Sequence, residues 1–182
     1  PIVGDRLARH NDVSLMAFVG SSATGKRLMK ASAESNMKRL ILECGGKSPY
    51  LVFDDCPEDL DWMAQEIVGA AFPNQGALCV AGTRLIIQDN MREKLLPKIL
   101  EKAAAIHAGD PLQGDTEFGG LVNEDHMNKV LGYIESGLSE GAKLILGGKR
   151  VYPSNDPVLK DGFYIEPTIF DNVDPKAKIS QE

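Results

Sequence analysis

The segment from Val13 to Leu42 constrains the fold more than any other. Val13 to Val19 (VSLMAFV) is a short apolar run of strand character that ends at Gly20. A glycine-bounded turn follows, Gly20-Ser21-Ser22-Ala23-Thr24-Gly25, and good helix formers with an apolar face at Leu28 and Ala31 continue to Glu34. Lys38 to Leu42 (KRLIL) is a second apolar run, closed by Glu43 and the Gly45-Gly46 pair. Strand, helix and strand within about thirty residues make one βαβ unit.

The alternation continues. Tyr50 to Phe53 predicts a strand ended by Asp54-Asp55, and Pro57 to Phe72 predicts a helix with Leu60, Met63, Ala64 and Ile67 at helical spacing. Pro73 to Leu78 is irregular, broken by Pro73 and Gly76. Arg84 to Gln88 predicts a strand, Met91 to His107 a long amphipathic helix, Glu124 to Glu140 another helix, and Leu144 to Leu146 a strand before Gly147-Gly148. Tyr152 to Gly162 is polar loop, and Phe163 to Phe170 is one edge strand with Pro167 inside it. Strands alternating with helices predict an α/β fold with a mostly parallel sheet flanked by helices. The flexible Gly45-Gly46 pair is the natural seam, dividing residues 1–45 from 46–182.

Composition narrows the function classes. Hydrophobic residues at 43% suffice for a core, and 26 acidic against 20 basic side chains give a net charge of −6. An acidic chain without a Lys/Arg cluster lacks the footprint of a nucleic-acid binder. No run of about 18 apolar residues exists to span a membrane, and the first ten residues carry charges where a signal peptide needs an apolar stretch. Cys44, Cys56 and Cys79 form no C-x-x-C, and no histidine pair has metal-binding spacing, so neither a disulfide scaffold nor a metal site is expected. A reducing, cytoplasmic compartment fits that cysteine usage. His10, His107 and His126 lie in loop or helical contexts suited to surface or capping roles, and the aromatics, Trp62 among them, fall on core faces. Pro1 at the start and Ser180-Gln181-Glu182 at the end, without a closing signal, suggest a fragment.

Three constellations carry chemistry. Gly20 to Gly25, followed by Lys26-Arg27, could turn backbone N–H groups and a helix N-terminus toward a phosphate. It nearly matches Walker A, although Arg27 stands where Ser or Thr would hold Mg²⁺, and Tyr50 to Asp55 imitates a Walker B strand. A P-loop NTPase and a tight turn that binds nothing are both alternatives. Glu43, in Leu42-Glu43-Cys44-Gly45-Gly46-Lys47-Ser48-Pro49, is a strand-end carboxylate placed to act as a base, or a solvated glutamate beside a turn. Cys79, in Asn74-Gln75-Gly76-Ala77-Leu78-Cys79-Val80-Ala81-Gly82, follows a glycine-containing loop and could present a thiolate. Its apolar neighbours equally suit a buried, inert cysteine.

Taken together, these segments resemble the NAD(P)-dependent aldehyde dehydrogenase superfamily. Ala17 to Gly25 is similar to its cofactor loop, Leu42 to Pro49 to its glutamate signature, and Phe72 to Arg84 (FPNQGALCVAGTR) to its cysteine signature. Gly109-Asp110-Pro111-Leu112, Gly147-Gly148 and Glu166 to Phe170 resemble later landmarks, in order. The resemblance implies oxidation of a small aldehyde to a carboxylic acid with NAD or NADP. In that reading Cys79 is the nucleophile, passing through a thiohemiacetal and a thioester, and a partly buried Glu43 activates the hydrolytic water. Gly20, Ser21, Ser22 and Gly25 would lie against the pyrophosphate, and the Cys44 backbone near the nicotinamide. Residues 1–45 would end a dinucleotide-binding domain and 46–182 would form the cysteine-bearing catalytic domain. The parent would be a cytoplasmic homodimer or homotetramer.

The sequence departs from the family pattern at Val19, where threonine is frequent, at Ala77 for glutamine, and at Gly120 for proline. Family members are also longer. The resemblance implies truncation at both ends, with the chain stopping where a Glu-Glu-x-Phe-Gly-Pro motif begins, and a fragment that is inactive alone. A non-catalytic binding or structural member of the family stands beside the NTPase as an alternative. Ser35 to Arg39 and Asp55 to Pro57 resemble amino- and γ-glutamylamino-aldehyde oxidisers.

Overall fold

A computed structural model describes residues 2–152 and 159–182. The chain divides into two compact units, Pro1–Gly46 and Lys47–Glu182.

The first unit is built on a parallel pair, β1 (Leu15–Gly20) and β2 (Arg39–Cys44), in register from Leu15 opposite Arg39 to Gly20 opposite Cys44. The strands lie parallel because α2 (Ser22–Ala33) carries the chain back between them. Alternation puts Met16, Phe18, Leu40 and Leu42 on one face, against Ala8, Leu28 and Ala31 of the helices. The opposite face, with Leu15, Val19 and Ile41, is exposed.

Helix α1 (Ile2–Arg9) has no counterpart in the sequence expectations, which found only charge in that stretch. It forms because a partner waits for its end. Lys38, only 5% exposed, donates from Nζ to Ala8 O at 2.6 Å and to Ser35 Oγ at 3.1 Å. An ammonium on the last carbonyls of a helix satisfies orphan acceptors and complements the dipole.

The second unit repeats the scheme. β3 (Pro49–Val52) and β4 (Arg84–Ile87) pair in parallel through α3 (Leu60–Ala71). Asp59 caps α3 by accepting from Asp61 N at 3.1 Å and Trp62 N at 3.0 Å, which starts the helix at Leu60 rather than Pro57. Val52, Met63, Ala64, Ile67 and Val68 pack with Leu95, Ile99 and Ala103 of α4 (Asp89–Ala104) into the core. Trp62, expected in the core, is 50% exposed.

Beyond α5 (Glu124–Ser139) the pairing is antiparallel, unlike the mostly parallel sheet expected. β5 (Lys143–Leu146) pairs β8 (Ile169–Asp171), and β6 (Arg150–Val151) pairs β7 (Tyr164–Ile165). Phe163 to Phe170 is thus two strands and not one. Pro167 lacks an N–H for a ladder, and Thr168 Oγ1 bonds Glu166 O at 2.8 Å and Gly148 N at 3.0 Å instead. Gly147 (φ 68°) turns the chain after β5, where a Cβ would overlap the Pro167 carbonyl. Among the described residues no helix separates these strands, so the chain can return beside itself reversed. A short α6 (Lys178–Gln181) docks on α5. Of the expected loop Tyr152 to Gly162, residues 153–158 lie outside the described residues.

Candidate active site

In the first unit the expected residues gather at the C-terminal end of the β1–β2 pair. Gly20 faces Cys44 in register and Val19 faces Glu43, and Gly45 N adds a bond to Gly20 O at 3.3 Å. Alternation then separates the two side chains of β2. Glu43 emerges on the uncovered face with Val19, which is 73% exposed, while Cys44 turns under α2. Glu43 is exposed, not partly buried as expected.

The glycine-bounded turn is shorter than expected. Helix α2 begins at Ser22, capped by Ser21 Oγ accepting from Thr24 N at 3.2 Å. Gly25 therefore lies in the first turns of the helix, and its N–H bonds Ser21 O at 3.0 Å. A Cβ there would sit 3.4 Å from Cys44 Sγ and 3.7 Å from Leu42 Cδ1, so Gly25 brings helix close to strand. This geometry argues against the P-loop reading. A Walker A loop wraps phosphate with non-helical backbone between its two glycines, and here residues 22–25 are already helical. What remains is the start of a twelve-residue helix without acids in its first turn, whose Ser22 and Ala23 N–H groups have no carbonyl to reach. That end suits a pyrophosphate.

Cys79 is positioned within the second unit. After α3 the chain turns sharply at Pro73–Gly76, where Asn74 (φ 51°, ψ 44°), Gln75 (φ 57°, ψ 30°) and Gly76 (φ 70°) are all left-handed. Cys79 and Val80 then occupy the middle of a tight turn closed by Ala81 N donating to Leu78 O at 3.2 Å. The turn is held at its base. Ala81 is buried, Gly82 N donates to Ala70 O at 3.0 Å, and Ser48 Oγ donates to Cys79 O at 3.5 Å. A side chain at Gly82 would crowd the Tyr50 ring at 3.2 Å.

Cys79 is consequently exposed, against the burial its neighbours suggested, because Leu78 and Val80 are themselves exposed. Cys44 and Cys56 are half-buried, and all three thiols are free. Two residues were not singled out from the sequence. Ser48 steadies the Cys79 backbone, and Lys47 is half-buried beside Arg84, whose Nε donates to Lys47 O at 2.6 Å. Burial, and then the Arg84 guanidinium, hold the Lys47 ammonium below its ordinary range. Both lie in the quoted glutamate signature, the only signal that pointed to them.

The structure thus brings out an exposed cysteine on a braced turn in one α/β unit and an exposed strand-end glutamate in the other. The aldehyde dehydrogenase family model matches residues 1–182, and the chain belongs to that family. It is 42% identical to betaine aldehyde dehydrogenase of Bacillus subtilis, over 99% of this chain and 36% of that protein. With aminoacetaldehyde dehydrogenase of Pseudomonas aeruginosa it shares 40% identity over 98% of this chain and 34% of the relative. The crystal structure of the aldehyde dehydrogenase KauB from Pseudomonas aeruginosa superposes with a TM-score of 0.91 at 45% identity, covering 99% of this chain and 35% of that one. Indole-3-acetaldehyde dehydrogenase of P. syringae, solved in complex with NAD⁺, gives 0.91 at 42% identity, over 99% and 35%. The chain spans about a third of the length of these relatives.

Proposed function

We propose that the whole protein oxidises an aldehyde to a carboxylic acid with NAD or NADP, with Cys79 as nucleophile and Glu43 as base. The observation that carries this reading is the exposed Cys79 thiol on a turn braced by Ala81, Gly82 and Ser48. The Cys79 thiolate adds to the aldehyde carbon, and the Cys79 backbone N–H faces the oxyanion. A dinucleotide held at the start of α2 would supply the hydride acceptor, and loss of hydride from the carbon bound to Cys79 leaves a thioester there. Glu43 then takes a proton from water as the water adds to the thioester carbonyl, and the acid departs with the thiol restored.

The start of α2 supports the cofactor assignment. Gly20, Ser21, Ser22 and Gly25 would lie against a pyrophosphate, where the helix start offers the unpaired Ser22 and Ala23 N–H groups and no carboxylate. Cys44, its side chain packed toward Gly25, contributes backbone at the strand end. On this reading residues 1–45 close the dinucleotide-binding domain and 46–182 form the catalytic one. Three sparse cysteines without a C-x-x-C fit a reducing compartment, and we assign the whole protein to the cytoplasm as a homodimer or homotetramer.

The test is absorbance of reduced nicotinamide when the whole protein meets an aldehyde panel, aminoacetaldehyde and betaine aldehyde included, with NAD or NADP. Turnover that is lost in Cys79→Ala supports the reading. Equal turnover in that variant contradicts it.

A further inference from the structure

Four residues before Cys79, Gln75 holds a left-handed backbone (φ 57°, ψ 30°) that glutamine seldom adopts unless its surroundings impose it. Its side chain supplies the constraint. With the amide turned so that each atom meets its complement, Oε1 accepts from Gly119 N at 2.9 Å and Nε2 donates to Asn74 O at 3.2 Å. The first bond crosses to a different segment of the same unit, and that segment is fixed on both sides. Phe118 is buried, its N donates to His107 O at 3.0 Å, and its O accepts from Gly109 N at 3.1 Å. Two residues after Gly119, Leu121 N donates to Phe163 O at 2.8 Å. Gly119 is therefore a stationary donor, and Gln75 hangs the turn before Cys79 on it.

Asn74 and Gly76 tolerate left-handed backbone by their own chemistry, Asn74 with an added Nδ2 bond to Ala77 O at 3.4 Å. Gln75 has no such excuse. The tether is what makes three consecutive left-handed residues one defined turn, and the turn sets where the chain leaves toward Cys79.

We propose that Gln75 is a positioning residue for the Cys79 nucleophile, acting through its hydrogen bond to the Gly119 N–H. The proposal rests on the reading of Cys79 given above. The comparison is between Gln75→Met, which keeps length and packing but loses both bonds, and Gln75→Glu, which keeps an acceptor for Gly119. Amide exchange is followed in the whole protein over peptides covering 74–81 and 117–121, with α4 as reference, alongside kcat and KM for aldehyde oxidation. In Gln75→Met, exchange in both peptides should accelerate and kcat should fall, each by about 3–10-fold, the range set by one ordinary hydrogen bond, with KM and α4 little changed. Gln75→Glu should return both readouts most of the way.

Unchanged exchange at 117–121 in Gln75→Met would show that the tether does not hold in solution. Faster exchange with an unaltered kcat would make it a structural brace and overturn the positioning role. Failure of Gln75→Glu to restore, or equal loosening of α4, would also overturn it. Absence of aldehyde oxidation in the unaltered protein would instead sink the proposed function, and the exchange arm would still judge the tether.

Discussion

Cys79 differs from its two fellow cysteines in where the backbone puts it, and reactivity should follow. It is exposed at the middle of a turn, while Cys44 lies under α2 and Cys56 packs against the core. Limited iodoacetamide should therefore label Cys79 first, as peptide mass spectrometry would show. Cys44 or Cys56 labelled ahead of it would contradict the exposure pattern. Replacing an exposed side chain removes little packing, so Cys79→Ala should change unfolding free energy by no more than about 0.5 kcal/mol in a urea titration. Lys38 behaves oppositely. Its buried ammonium serves Ala8 O and Ser35 Oγ, so Lys38→Met should cost about 1–3 kcal/mol in the same measurement. At this scale the sequence marked residue types and order well and surroundings poorly. Glu43 and Cys79 stood out by their motifs, but the apolar flanks of Cys79 suggested burial. The left-handed turn at Asn74 and Gln75 reversed that, and such a turn is invisible in a window of propensities.

Elements were legible where an apolar period and a cap coincided. Val13 to Leu42 gave β1, α2 and β2 within a few residues, and Asp59 and Asn123 start α3 and α5 with side-chain caps. Elements that depend on a distant partner were missed. Helix α1 ends on Lys38 thirty residues away, and α6 starts from Ala177 without a side-chain cap. For α6 the support is Glu140, which accepts from Ser136 Oγ at 2.5 Å and from Lys178 N at 2.8 Å. The Ser136 bond first, and then the Lys178 amide, hold its carboxyl below the ordinary glutamate range. A carboxyl lowered by folding contributes its stabilisation in full above the unfolded-state value and loses it as pH falls through the folded one. Helix α6 should thus stay docked near neutrality and fray below about pH 4, seen as a smaller protection factor of the Lys178 amide, its exchange referred to the intrinsic rate at each pH. Glu140→Gln should leave that protection factor nearly independent of pH. A wild-type Lys178 amide equally protected at pH 3 and pH 7 would refute the assignment.

At the scale of the whole chain, each unit is an α/β layer with one sheet face covered by helices. The other face is apolar in both: Leu15, Val19 and Ile41 in the first unit, Leu51, Phe53 and Ile86 in the second. Contiguous exposed apolar surface drives association. The 182-residue chain should self-associate in dilute buffer, and Phe53→Lys with Ile86→Lys should raise the monomer fraction in sedimentation velocity. The α/β class was readable from alternating periods, but pairing sense in the last third was not. That depended on Gly147 and Pro167 reversing and breaking the chain between β5 and β8.

In the proposed reaction Cys79 carries the acyl group between oxidation and hydrolysis. Glu43→Gln should slow hydrolysis of the thioester more than the oxidation that forms it, so the intermediate should accumulate. Mass spectrometry of the whole protein bearing Glu43→Gln, quenched in acid after mixing with an aldehyde and NAD or NADP, tests this most directly. An acyl mass is expected on the peptide containing Cys79 and on neither of those containing Cys44 and Cys56. An acyl group on either of those cysteines, or continued aldehyde oxidation with none on Cys79, would contradict it.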